Sequence, residues 1–287
     1  MRWPPPPEWP HAELSRRVMS PPHRWHIQQR GKGPLVLLLH GAGGSTHSFR
    51  SLIPHLAKRF EVIAIDLPGQ GFTKLGARHR CGLDAMSADI ESLCVHEGWS
   101  PDSIIGHSAG GAIALNLSKT LMSPRGHPPR IVGINPALDT FDGIAGLMFP
   151  AMAKLLAAIP FTATAFSVAA ARTRRIETLI GSTGSKLDEQ GIDFYRQLVA
   201  DRDHVDATLL MMAQWSLDHL IGSLPAMLAE TLFITGDQDG TVPPAVARGA
   251  AGRIPNARLV ELGGKGHLVH EEVPDIVADH ILRFLSD

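Results

Sequence analysis

Three stretches carry side chains whose types and spacing could do covalent chemistry. They are Gly106-His107-Ser108-Ala109-Gly110, Gly236-Asp237-Gln238-Asp239-Gly240 and Gly264-Lys265-Gly266-His267. Serine is a weak nucleophile at neutral pH. It becomes effective when a base takes its proton during attack and a third group fixes the tautomer of that base. The chain order serine, acid, histidine is the one used by serine enzymes built on a parallel sheet. Ser108 is therefore the candidate nucleophile and His267 the candidate base. Without the other two motifs, His267 would be one surface histidine among 15. Asp239, in the turn before Gly240 and Val242-Pro243, is favoured as the acid. Asp237 is the alternative, although an aspartate in a turn often bonds its own backbone.

A serine between a strand and a helix needs small neighbours two residues before and two after it, so that the two elements can pass closely. Gly106 and Gly110 meet that need. The following helix would bring partial positive charge to Ser108. A tetrahedral oxyanion also needs preorganised backbone donors. One is expected at Ala109. The second is expected from His40-Gly41-Ala42-Gly43-Gly44, where glycines allow close backbone approach. Ala42 is preferred there, with Gly41 as the alternative. His40 is read as a loop histidine rather than a second base.

The elements that must hold these groups follow from the hydrophobic pattern. Continuous aliphatic runs at 35–39, 62–65, 103–105, 131–134, 232–235 and 259–262 suit strands buried on both faces of a parallel sheet. Segments of helical period lie between them, including 85–96, 109–122 and 274–285. Alternation of this kind predicts an α/β fold with helices on both sides of a mostly parallel sheet. Chemistry is then expected at the carboxyl ends of the strands. The alternation is interrupted at 136–225, which is mostly helical and rich in Ala, Met and Leu. This predicts an inserted helical cap between core segments 25–135 and 226–287, with residues 1–24 as an N-terminal arm.

With 287 residues, 44% of them hydrophobic, the chain can bury a large core without staples. No metal and no cofactor are expected. The two cysteines, Cys81 and Cys94, read as reduced thiols. A formal net charge of −1 and the lack of a basic, aromatic-interleaved face argue against nucleic acid as a partner. The proline run at positions 4–7 interrupts any signal-peptide core, so a cytoplasmic location is expected. Residues 143–171 carry Lys154 as their only charge and approach the roughly 20 apolar residues of a membrane span. Pro150 and Pro160 break the run, and Arg172, Arg174 and Arg175 close it. It is read as an apolar cap, with peripheral membrane contact as the alternative.

Residues 37–49, 66–73, 106–111, 236–243 and 264–272 together resemble the α/β-hydrolase superfamily over about residues 25–285. The resemblance implies an eight-stranded, mostly parallel sheet with a cap inserted after strand six. A narrower similarity is carried by 24–28, 135–156, 181–195 and 211–220. These segments resemble the α/β-hydrolases of bacteriochlorophyll gene clusters, a group described as magnesium-chelatase accessory proteins. Membership implies a role near magnesium insertion into protoporphyrin IX, with chelatase subunits as candidate partners and a porphyrin as candidate ligand.

In that context Met148, Met152, Met211 and Met212 could form an adaptable wall against a flat apolar ligand, and Trp215 could stack on it. With His40 they are the candidate substrate contacts. The competing reading of such methionines is ordinary core packing, and of the arginines at 172–175 a solvated helix end rather than partners for propionates. The expected function is hydrolysis of an ester or related acyl bond of a tetrapyrrole or pathway by-product. The alternatives are a non-catalytic porphyrin-delivery protein, and carbon–carbon hydrolysis or cofactor-free perhydrolysis on the same residues. Dehalogenase and epoxide hydrolase readings are disfavoured because those relatives carry Asp at the position of Ser108.

Overall fold

The computed structural model describes residues 1–139 and 175–286. Its centre is one eight-stranded sheet: β1 (Ser15–Ser20), β2 (His23–Arg30), β3 (Leu35–Leu39), β4 (Glu61–Ile65), β5 (Ser103–His107), β6 (Arg130–Ile134), β7 (Thr231–Gly236) and β8 (Ala257–Leu262). The order across the sheet is β1-β2-β4-β3-β5-β6-β7-β8. β2 pairs antiparallel with both β1 and β4, and every other pairing is parallel.

The continuous aliphatic runs have a direct structural cause. In β3, Leu35, Leu37 and Leu39 point into one hydrophobic core, while Val36 and Leu38 point into the other. β4 divides the same way, with Ile63 and Ile65 on the first side and Val62 and Ala64 on the second. The first core is closed by the helices Leu83–Glu97 and Ala109–Leu117, and the second by Leu52–Leu56 and Pro274–Ser286. A strand covered on both faces cannot alternate polar and apolar residues.

Two boundaries differ from the sequence reading. The segment 1–24 is not simply an arm, because β1 and the start of β2 belong to the sheet. Ahead of β1, Trp9 is buried against Phe72 and Phe194 at ring separations of 5.1 and 5.4 Å, which ties the chain start to the cap. The helix after Ser108 ends at Leu117 rather than Met122. Within 136–225, the described part contains helices Arg175–Ser182, Glu189–Ala200, Arg202–Gln214 and Asp218–Ser223. Asp188 and Asp201 cap the second and third, accepting from the N–H groups of Gly191 and His204. Residues 143–171, Met148 and Met152 among them, lie outside the described residues. Among the described residues, no helix is long and apolar enough to cross a membrane. Cys81 and Cys94 are buried free thiols.

Candidate active site

The parallel register brings several strand ends level. Leu39 of β3 lies beside Gly106 of β5, and His107 of β5 beside Ile134 of β6. The loops that follow β3, β5, β6, β7 and β8 therefore open on one edge of the sheet. They begin at His40, Ser108, Asn135, Asp237 and Gly263.

Ser108 has φ 52° and ψ −117°, a backbone conformation that L-residues rarely adopt. The packing around it explains how this is held. A Cβ at Gly106 would lie 2.1 Å from the Gly110 carbonyl oxygen, and one at Gly110 would lie 2.1 Å from that of Leu39. Strand and helix meet so closely that only glycine fits at either position. Among the described residues, three non-glycine residues have positive φ: His11, Ser108 and Asn135. Two of the three end adjacent strands at this edge, and such strain tends to collect where function requires it.

His267 and Asp239 are both buried. His267 Nδ1–H donates to Asp239 Oδ2 at 2.7 Å, a direction fixed because an ionised carboxylate only accepts. Asp239 Oδ1 accepts from the N–H groups of Thr241 and Val242 at 2.7 and 2.8 Å. Asp237 is exposed and accepts from the Gly264 N–H at 2.7 Å. It braces the neighbouring loop and makes no bond to His267.

His107, the residue before Ser108, packs its ring 4.8 Å from that of His267 and donates from Nε2 to the His267 carbonyl at 3.0 Å. His270 stacks behind it at 4.4 Å. Burial drives both His107 and His270 well below the ordinary imidazole range, His270 to about 3. Both are therefore neutral near pH 7, and neither opposes a positive charge developing on His267.

The loop after β3 runs beside the serine: a Cβ at Gly41 would lie 2.9 Å from Ser108 Cβ. Gly43 N–H donates to Gln70 Oε1 at 2.8 Å and Gly44 N–H to the Gly41 carbonyl at 3.0 Å. No described residue accepts from the N–H groups of Gly41, Ala42 or Ala109. The last of these opens the helix, where backbone donors are unpaired by construction. The arrangement thus offers a strained serine, a carboxylate-oriented imidazole and unspent backbone donors.

The other candidate contacts separate. His40 is fully buried; Nδ1–H donates to the Gly41 carbonyl at 2.7 Å and Nε2 accepts from the Leu67 N–H at 2.9 Å. Both ring nitrogens are spent on holding loops, so His40 is not a substrate contact. Met211 is core, its sulfur accepting from Gln70 Nε2 at 3.2 Å, so it is not on an open wall. Met212 is exposed. Trp215 lines an open cleft of about 540 Å³ with His79, Leu83 and Asp84, a cleft whose lining contains none of Ser108, Asp239 and His267.

Two groups at the site escaped the sequence reading. Asn135 donates from Nδ2 to Asp239 Oδ2 at 2.6 Å. In the cap, the Thr183 carbonyl accepts from both Gly240 N–H and His267 N–H at 3.1 Å, and Ser185 Oγ accepts from Leu268 N–H at 2.8 Å. One cap turn therefore staples the acid loop to the base loop. A turn signal was present in Gly181-Ser182-Thr183-Gly184, but nothing in it shows what the turn touches.

A mostly parallel eight-stranded sheet flanked by helices on both faces, with further helices between its sixth and seventh strands and this strand-end loop cluster, is the α/β-hydrolase fold. The chain belongs to that family, whose model matches residues 34–274. It is 45% identical over 283 residues, 98% of each chain, to the magnesium-chelatase 30 kDa subunit of Rhodobacter capsulatus. It is 26% identical over 263 residues, 91% of this chain and 98% of the relative, to the pimeloyl-[acyl-carrier protein] methyl ester esterase of Xanthomonas oryzae. The solved structure of epoxide hydrolase CorEH matches with a TM-score of 0.77 at 23% identity, covering 95% of this chain and 98% of that one, which shows the shared fold.

Proposed function

We propose that this protein is a serine hydrolase acting on an ester or related acyl bond. Ser108 attacks the acyl carbon, and His267 takes its proton and returns it to the leaving group. Asp239 fixes His267 in the tautomer that leaves Nε2 free to accept. The N–H groups of Ala42 and Ala109 hold the oxyanion, with Gly41 as the alternative to Ala42. The observation that carries this reading is the Ser108 backbone. A serine at φ 52° between β5 and a helix is costly, and fixing a half-buried hydroxyl at a helix N-terminus is what such strain accomplishes.

Similarity to a magnesium-chelatase subunit supports a role alongside chelatase, with a tetrapyrrole ester or pathway by-product as substrate. It also favours a second reading, in which the protein binds or delivers a porphyrin and the serine is not used. The two are separated by introducing Ser108→Ala into a pigment-forming strain that lacks the protein. Failure of a folded Ser108→Ala protein to restore pigment supports catalysis. Full restoration contradicts it and favours delivery.

A further inference from the structure

Ile134 and Asn135 touch both ends of the constellation. The Ile134 carbonyl accepts from the Ser108 N–H at 2.9 Å, and the next side chain, Asn135, donates from Nδ2 to Asp239 Oδ2 at 2.6 Å. We propose that Asn135 is a positioning residue, holding Asp239 Oδ2 toward His267 Nδ1 and referencing the acid to the strand end that fixes the serine. This rests on the serine-hydrolase reading.

The hydrogen bonds of Asp239 make the case. Oδ1 is held by two backbone N–H groups of its own loop, which leave Oδ2 to side chains. Of the two donors to Oδ2, His267 must move charge during a reaction, and Asn135 is the fixed one. The residue type fits the task. Only the Nδ2 end of the amide can face a carboxylate, whereas an aspartate would set acceptor against acceptor. Asn135 also sits at φ 43°, which asparagine tolerates better than most residues. Its Oδ1 is buried without a partner among the described residues. An unpaired buried acceptor works against stability and is tolerated here beside the bond from Nδ2 to Asp239.

Two variants test this in the full chain. Asn135→Gly keeps the backbone conformation and removes the amide. Asn135→Asp keeps the shape and replaces donor by acceptor. The readouts are the second-order rate of Ser108 modification by a fluorophosphonate across pH, thermal melting, and the low-field proton resonance of His267 Nδ1–H. Asn135→Gly is expected to slow modification by about tenfold to a hundredfold through misalignment. In Asn135→Asp a second carboxylate joins the titratable groups facing His267, which are Asp239, His107 and His270. Added negative charge favours the imidazolium, which cannot accept a proton. The midpoint of the pH profile should therefore move up, with the loss greatest near neutrality and recovery on the alkaline side.

The proposal is overturned if both variants fold and react at the wild-type rate with an unchanged profile. Should one fail to fold, an unmoved His267 resonance in the other overturns it equally. Wild-type protein unmodified at Ser108 sinks the serine-hydrolase reading and this proposal together. His267-dependent modification that ignores Asn135 sinks this proposal alone.

Discussion

Asp239 Oδ2 accepts the Nδ1–H of His267 at 2.7 Å, while Asp237, two positions earlier, spends its carboxylate on the Gly264 N–H at the same distance. Two aspartates that look equivalent in Gly236-Asp237-Gln238-Asp239 thus have separate work. Asp239→Asn should slow fluorophosphonate modification of Ser108 by about 10³–10⁴-fold, because an amide donor at Oδ2 favours the wrong imidazole tautomer. Asp237→Asn should stay near the wild-type rate. Equal losses in the two variants would contradict the assignment.

Acid stability should depend on His270. Burial, with repulsion from His267 and Arg50, lowers its pKa from 6.5 to about 3. Between those values the unfolded chain takes up a proton that the folded chain does not. Stability is therefore lost as pH falls through that window. Neither ring nitrogen of His270 has a partner among the described residues. His270→Phe, which removes both the titration and the unpaired nitrogens, should gain about 1–3 kcal/mol. The gap between urea midpoints at neutral and mildly acidic pH should narrow. An unchanged gap would show that other groups set the acid sensitivity.

The cap turn that joins the acid and base loops gives a test by a single methyl group. Gly184 has φ 79°, and a Cβ there would lie 1.9 Å from the Gln238 carbonyl oxygen. Gly184→Ala should lower the melting temperature and slow Ser108 modification, since the shifted turn carries the acceptor for both Gly240 and His267. Gly181→Ala, three residues earlier in a helix with nothing among the described residues within 4 Å of the new carbon, should leave the rate unchanged and stabilise by about 0.5–1 kcal/mol. The same rate in both variants would break the proposed link between cap and site.

A second serine, histidine and aspartate line up elsewhere in the fold. His26 Nδ1–H donates to Asp66 Oδ2 at 2.6 Å, and Ser15 Oγ bonds His26 Nε2 at 2.9 Å. Here the serine has ordinary extended backbone, φ −78° and ψ 131°, and starts a strand instead of a helix. Asp66 also accepts from the N–H groups of Thr46 and Phe72, so this relay ties β1 and β2 to the loops after β3 and β4. Ser15→Ala should cost about 1 kcal/mol in stability and leave fluorophosphonate incorporation unchanged. Mass spectrometry that found the label on Ser15 would refute the backbone criterion used to single out Ser108.

The same relay explains what the sequence hid. β3 to β7 were legible because strands covered on both faces read as aliphatic runs, β8 at the sheet edge showed itself by the shorter run at 259–262, and the positions of Ser108, Asp239 and His267 were read from the strand ends. β1 and the start of β2, with Ser15, Arg16, Arg17 and His23, looked like an arm, and the rest of β2, with His26 and Gln28, fell in the core segment without reading as a strand. The buried polar residues among them are paid for by hydrogen bonds to partners distant in the chain, such as Asp66 and Asp89. Asn135 was invisible for a related reason: its partner, Asp239, is brought to it only by the pairing of β6 with β7. His40 and Met211 were offered as substrate contacts, and the fold uses them as the competing readings had it, for loop anchoring and core.

The most direct measurement of the central claim is intact-mass and peptide-level mass spectrometry of the full chain after brief exposure to a fluorophosphonate, for wild type, Ser108→Ala and His267→Ala. One phosphonyl group on Ser108 in the wild type, and none on either folded variant, is the predicted result. A folded wild-type protein that takes up no label, or takes it up equally without His267, would contradict the account.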